Sequence, residues 1–293
     1  MLSQPELSRW LSDANRRYSD KGIPHRRRPF EAMRDYTVEF RCSLDSRDPL
    51  TSKIFDWFYQ HSPPHAHQMG SIYTGVYYYD TAFWPVQIPL IFGEVSVNGL
   101  DCLATMPQSM KQTLHTHSPH NWIYASHWAN CMDYGYGQDD LQQIRILKPR
   151  AQDFFDAAHA ELLGANSQLI ETRPNAKSIL GFRMATEIYF KAVLIHTKDL
   201  GDNQLKKISH SLEGGAKACA DATGSKEFEA IAGHVGVFPP VTARYDVPEW
   251  PLDRVWDAAL LAQHTAATVT RLYTDRNIRR SMHSLRDAQP PAL

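Results

Sequence analysis

His115, His117, His120 and His127, followed by Cys131, form the densest group of potential metal ligands in the chain. Imidazoles and a thiolate are the ligands zinc prefers, and His127 and Cys131, four residues apart, would share one face of a helix. The stretch His115-x-His117-Ser118-Pro119-His120 is loop-like, however, and no established zinc spacing matches, so a metal site and a polar loop both stand as readings. His65 and His67 repeat the His-x-His pattern. Asp80, Glu94 and Asp101 are the carboxylates nearest the strand-forming region, where several nucleases place metal ligands, but no Glu-x-Lys follows them and a restriction-type core is not expected. Tyr77, Tyr78 and Tyr79, with Phe83 and Trp84, are able to stack nucleic-acid bases; the competing reading is a strand with one core face. Arg26, Arg27 and Arg28 are candidate phosphate contacts, against the alternative of a solvated turn. No phosphate-cradling glycine loop and no Gly-x-Ser-x-Gly elbow occurs, so no cofactor is identified.

The remaining sequence must supply the elements that position these groups. With 293 residues, 43% hydrophobic and 22% charged, the chain has the composition of an ordinary globular protein and the length of two domains. A formal charge of -1 excludes a surface built throughout for polyanions, leaving only local basic patches. Cys42, Cys102, Cys131 and Cys219 are scattered without CxxC spacing, which argues for reduced thiols and a cytoplasmic location. No apolar leader stretch opens the sequence, and the longest apolar segment, 82–92, is interrupted by Pro85, Gln87 and Pro89, so no membrane partner is expected.

Up to about Phe58 the pattern predicts two or three short helices, followed by a loop at Pro63-Pro64. From Ser71 to Val97 the residues are β-branched or aromatic almost throughout, which predicts two to four antiparallel strands with Pro89 at an edge or bulge. Helices are expected at 105–114 and 121–131. The glycines of Tyr134-Gly135-Tyr136-Gly137 are taken as a turn and a domain boundary. Beyond it the period is helical: 139–163, with a break at Pro149; 176–196, with Leu180, Met184, Ile188, Ala192 and Ile195 as the core stripe; 204–222; and 252–273. The expected fold is therefore α+β. It comprises an α+β domain with a small antiparallel sheet (1–137), an all-α up-and-down bundle (138–275) and a flexible tail (276–293).

Three motifs in the second half resemble the HEPN domains of prokaryotic stress and defence proteins. Ala185-Thr186-Glu187-Ile188-Tyr189-Phe190-Lys191-Ala192 is similar to a helix of that family, with Glu187 and Lys191 spaced for an ion pair. His210-Ser211-Leu212 is similar to its His-Asp-Leu segment, with Ser211 in place of the Asp. Arg244-Tyr245 precedes the last long helix as an Arg-Tyr pair does in the family. The resemblance spans 142–273.

It implies a homodimer whose bundle serves as a binding or dimerisation module for nucleic acid or nucleotide. Many HEPN proteins are metal-independent RNases with an Arg-x(4-6)-His motif, and Arg276-Asn277 with His283 is the match here. The functional expectation is thus a nucleic-acid- or nucleotide-associated module. The alternative is an enzyme: an RNase using Arg276 and His283, or a metal-dependent hydrolase using His115, His117, His120 and His127.

Overall fold

The computed structural model describes residues 2–44, 48–63, 71–91, 95–208, 210–245 and 250–287, without the side chains of residues 26, 207, 244, 283 and 285–287. The chain is mostly helical, with one antiparallel strand pair among the described residues, and it divides into two compact units, 1–70 and 71–293.

Among its described residues the first unit holds three α-helices, α1 (Gln4–Asp20), α2 (Arg28–Glu39) and α3 (Pro49–Gln60). Glu6 accepts the Ser3 N–H at 2.8 Å, satisfying an amide that the start of α1 leaves without a helical partner. Leu7, Leu11, Ala14 and Tyr18 recur at helical spacing and are buried against Ala32, Tyr36, Ile54 and Phe58. Asp48 caps α3 by accepting the Leu50 N–H at 2.8 Å.

The second unit begins with a hairpin, β1 (Tyr73–Tyr79) and β2 (Ala82–Ile88), paired from Tyr73 opposite Ile88 to Tyr79 opposite Ala82. Its two turn residues, Asp80 and Thr81, have φ of 50° and 61°, the left-handed pair a two-residue hairpin turn requires. Among the described residues nine α-helices follow: α4 (Gln108–Thr116), α5 (Ser118–Ile144), α6 (Pro149–Ile170), α7 (Ser178–Lys198), α8 (Asp202–Ile208), α9 (Leu212–Thr223), α10 (Lys226–His234), α11 (Leu252–Tyr273) and α12 (Ile278–Asp287). One hydrophobic core joins the hairpin to α5, α6, α7, α9 and α11. A buried polar network crosses it: Tyr73 donates to Gln263 at 2.5 Å, Asn166 donates to Tyr73 at 2.9 Å, and Tyr134 pairs with Tyr189 at 2.5 Å. No helix among the described residues is long and apolar enough to cross a membrane.

The small antiparallel sheet and the helical second half are as expected, but their partition differs. The chain divides after Gly70, and the expected boundary at Gly137 falls inside α5. The glycines taken for a turn are contact points instead: a Cβ on Gly135 would lie 2.8 Å from Tyr73 Cβ, and one on Gly137 3.0 Å from Thr270 Cβ. Gly75 on β1 is equally tight, 2.8 Å from Cys131 Sγ. Small residues let the hairpin and α11 seat directly on α5.

Residues 278–287 of the expected flexible tail form α12. In α7 the expected stripe is only partly inside. Ala192 and Ile195 are buried, but Met184 is 42% exposed, and Phe182, Tyr189, Phe190 and Val193 fill the core because α6, α9 and α11 enclose the helix from several sides. The single helix expected at 204–222 is two, α8 and α9, with Ser211 capping α9 by accepting the Gly214 N–H at 3.1 Å.

Candidate functional site

Asp133, on α5, has no solvent exposure. It accepts from Arg271 of α11 at 2.9 Å (Nε) and 2.6 Å (Nη2), and from the backbone N–H groups of Ile278 and Arg279 at 2.7 and 3.3 Å. The first N–H groups of a helix lack helical partners and favour an anion, so a buried carboxylate here fixes the start of α12 against α5 and α11. Asn277 adds a cap, its Oδ1 accepting the Arg280 N–H at 3.1 Å. Arg271 also donates to Asn130 Oδ1 at 2.8 Å.

With α12 held in this way, Arg279 reaches His264 of α11 and Glu227 of α10. His264 Nε2 lies 3.0 Å from Glu227 Oε2, and Arg279 Nη1 lies 2.9 Å from His264 Nδ1 and 3.3 Å from Glu227. Donation from Nε2–H to the carboxylate leaves Nδ1 as the acceptor for Arg279, which fixes a neutral tautomer. Burial holds His264 below the ordinary histidine range and Arg279 adds to that, while Glu227 opposes it. The hydrogen bond from His264 holds Glu227 down to about 2, against the effect of burial.

A cleft of about 450 Å³ opens beside this group, lined by Ser225, Glu227, Thr268, Arg271, Arg279 and Arg280. Arg271 pairs with Asp133 and Arg279 with Glu227, so with Arg280 on the lining three cations meet two acids. Planar guanidinium forks match phosphate and carboxylate oxygens. Thr265 and Thr270 of α11 bond back to the carbonyls of Leu261 and Ala266, but Thr268, 3% exposed, has no hydrogen-bond partner for its Oγ1 among the described residues. A second cleft of about 610 Å³ shares Arg279 with the first, includes His264, and is walled by Trp122, Ile123, Val237, Leu260 and Leu261.

The sequence-derived candidates fall elsewhere. His115, His117 and His120 lie on or beside α4 and the start of α5, with His117 and His120 ring centroids 4.6 Å apart, while His127 is buried with Nε2 3.5 Å from Cys131 Sγ. His127 and Cys131 do share a helix face, but among the described residues no group of three or more His, Cys, Asp or Glu side chains could hold a metal ion. The helix turns His127 into the core, away from the exposed His115, His117 and His120, so the four are not brought together. His65, His67 and Glu94 lie outside the described residues.

Arg28 is buried and donates to the Ile23 carbonyl at 2.8 Å and to Asn15 at 2.7 Å, so it ties the first unit together rather than meeting phosphate. Arg27 pairs with Glu31 at 3.3 Å, and the Arg26 side chain is outside the described residues. Arg276 forms a two-pronged pair with Asp140, at 2.6 and 2.9 Å, and lies over the Tyr136 ring; the side chain of its expected partner His283 is outside the described residues. Tyr77 is buried, while Tyr78 and Tyr79 are half-buried, so the strand has a core face.

Glu187, Lys191 and His210, from two of the three motifs that resemble HEPN domains, meet in one cluster. Glu187, 5% exposed, accepts from Arg183 at 3.1 Å, Lys191 at 2.6 Å and His210 at 3.0 Å. Burial raises its pKa, but hydrogen bonds from Lys191 and His210 prevail and hold it below the usual carboxylate range. Arg183 spends its other nitrogens on the carbonyls of Pro239 and His210, at 3.0 and 2.6 Å.

Asp133, Glu227, His264, Arg271 and Arg279 were missed because they are scattered over more than a hundred positions. One signal was available: Asp133 and Arg271 are charged residues inside the apolar faces of long helices, where a charge persists only with a partner. No protein-family profile, curated protein or solved structure matches the chain.

Proposed function

We propose that the protein binds a phosphate-bearing ligand, nucleotide or nucleic acid, in the arginine cleft between α10, α11 and α12. The observation that carries this reading is the convergence of Arg271, Arg279 and Arg280 on one cleft whose wall, among the described residues, offers only Glu227 as a facing acid. The unpartnered Thr268 hydroxyl in the same cleft supplies a further donor for a phosphate oxygen. Both ring nitrogens of His264 are engaged, by Glu227 and Arg279, which favours binding over proton transfer. The resemblance to HEPN modules, with Glu187, Lys191 and His210 gathered in one cluster, supports the same class of ligand and adds a cytoplasmic homodimer to the reading.

The test is fluorescence anisotropy with a labelled single-stranded RNA, titrated with inorganic pyrophosphate as competitor. Binding that weakens as salt is raised, is displaced by pyrophosphate and is lost in Arg279→Ala but kept in Arg276→Ala is the expected result. Binding indifferent to Arg279→Ala sinks the reading. Light scattering tests the dimer, which a strict monomer contradicts.

A further inference from the structure

The second cleft meets the first at Arg279 but differs from it in chemistry. Ile123, Val237, Leu260 and Leu261 give it apolar walls, and two consecutive residues of α5, Ser126 and His127, supply polar atoms. Ser126 Oγ and His127 Nδ1 are both buried, and neither has a hydrogen-bond partner among the described residues. Buried polar atoms in folded proteins are nearly always paired, so two adjacent orphans on residues that line one cavity mark a place where a ligand supplies the partner.

His127 is 2% exposed and sits against Trp256, with ring centroids 5.1 Å apart, and Tyr77 at 6.2 Å. Burial holds its pKa down to about 4, only partly offset by the Val76 backbone, so the ring is neutral at pH 7. An uncharged ring nitrogen beside a hydroxyl that both donates and accepts suits the amide- or amidine-like edge of a heterocycle, not a second phosphate. Asp257 on the same wall would repel phosphate but can accept a sugar hydroxyl. At about 610 Å³ the cavity is of the size that holds small organic ligands.

We infer that the two clefts are halves of one nucleotide site: phosphate on Arg271, Arg279 and Arg280, the base between the apolar walls with its polar edge at Ser126 Oγ and His127 Nδ1. This rests on the phosphate reading and adds a base-recognising half to it. The shared chemistry is a nucleotide unit, free or within a single strand.

Isothermal titration of the full chain with adenosine monophosphate, uridine monophosphate and ribose 5-phosphate separates the halves. At least one nucleotide should bind about tenfold tighter than ribose 5-phosphate, the advantage expected of one or two recovered hydrogen bonds. Ser126→Ala and His127→Phe, each checked for folding by circular dichroism, should bring that nucleotide to the ribose 5-phosphate level and leave ribose 5-phosphate affinity unchanged. A trinucleotide of the same base distinguishes strand from free nucleotide, and Ser126→Ala should weaken whichever binds. Equal binding of all three small ligands, unmoved by either variant, overturns the inference and leaves the phosphate reading intact. Binding of none of them, trinucleotide included, overturns both.

Discussion

Glu187 and Glu227 each gather a histidine and an arginine, yet the two groups serve different ends. Around Glu187 the arginine is consumed: Arg183 bonds the carboxylate and two backbone carbonyls, so the cluster locks α7 to the segments at His210 and Pro239. Around Glu227 the carboxylate is half-exposed, and Arg279 and Arg280 line an open cleft beside Arg271, whose Nε and Nη2 are held by Asp133 and Asn130. Identical residue types thus become a fastening or a binding surface according to whether neighbouring backbone uses up their donors. The HEPN resemblance lies on the closed group, whereas the open one carries the functional proposal.

The largest expected effect separates the two directly. Glu187→Ala leaves Arg183 and Lys191 without their buried partner and should cost about 3–5 kcal/mol in urea denaturation, with pyrophosphate affinity unchanged in whatever remains folded. A loss of affinity equal to that of Arg279→Ala would erase the distinction.

Acidification should strike the cleft side first. His127 has a folded pKa of about 4, below the ordinary histidine value of 6.5, so the unfolded chain takes up the proton first. The stability it contributes is complete above pH 6.5 and declines as pH falls from 6.5 to about 4, by about 3 kcal/mol. His264 shifts in the same direction, while Glu187 and Glu227, held low, lose their contribution only as pH falls below about 4.5. Urea midpoints measured between pH 7 and 5 should therefore drop in the wild type and drop less in His127→Phe; equal slopes would contradict the burial of a neutral ring.

Arg279→Ala should weaken pyrophosphate binding about 10–100-fold, the range of one or two charge-assisted hydrogen bonds, with a change in stability near 1 kcal/mol or less. The smallest effect belongs to Arg276→Ala. Its exposed pair with Asp140 should contribute about 0.5 kcal/mol and nothing to binding. A binding loss at Arg276 comparable to that at Arg279 would return the site to the tail motif.

The fold was more legible than the site. The alternating aromatics of 73–88 read as strands because side-chain period alone decides that, and α11 was read to its observed bounds because Pro251 marks its start and no glycine or proline interrupts it. Helix α5 was misread because nearly every side of it is buried, so no polar face reveals its period, and glycines needed for close approach to Tyr73 and Thr270 look like turn signals. The site residues come from four helices, and only tertiary packing shows that Asp133 anchors α12 and thereby aims Arg279 at His264. The histidine cluster, conspicuous in sequence, is split between surface and core by the helix that carries its last member.

The central claim is that the open group, and not the closed one, receives phosphate. Arginine side-chain Nε–Hε resonances, followed by NMR during titration with inorganic pyrophosphate, test it residue by residue. Saturable shifts at Arg271, Arg279 and Arg280 with Arg183 and Arg276 unmoved are the predicted result; an unmoved Arg279, or a saturable shift at Arg183 or Arg276 in its place, would contradict the account.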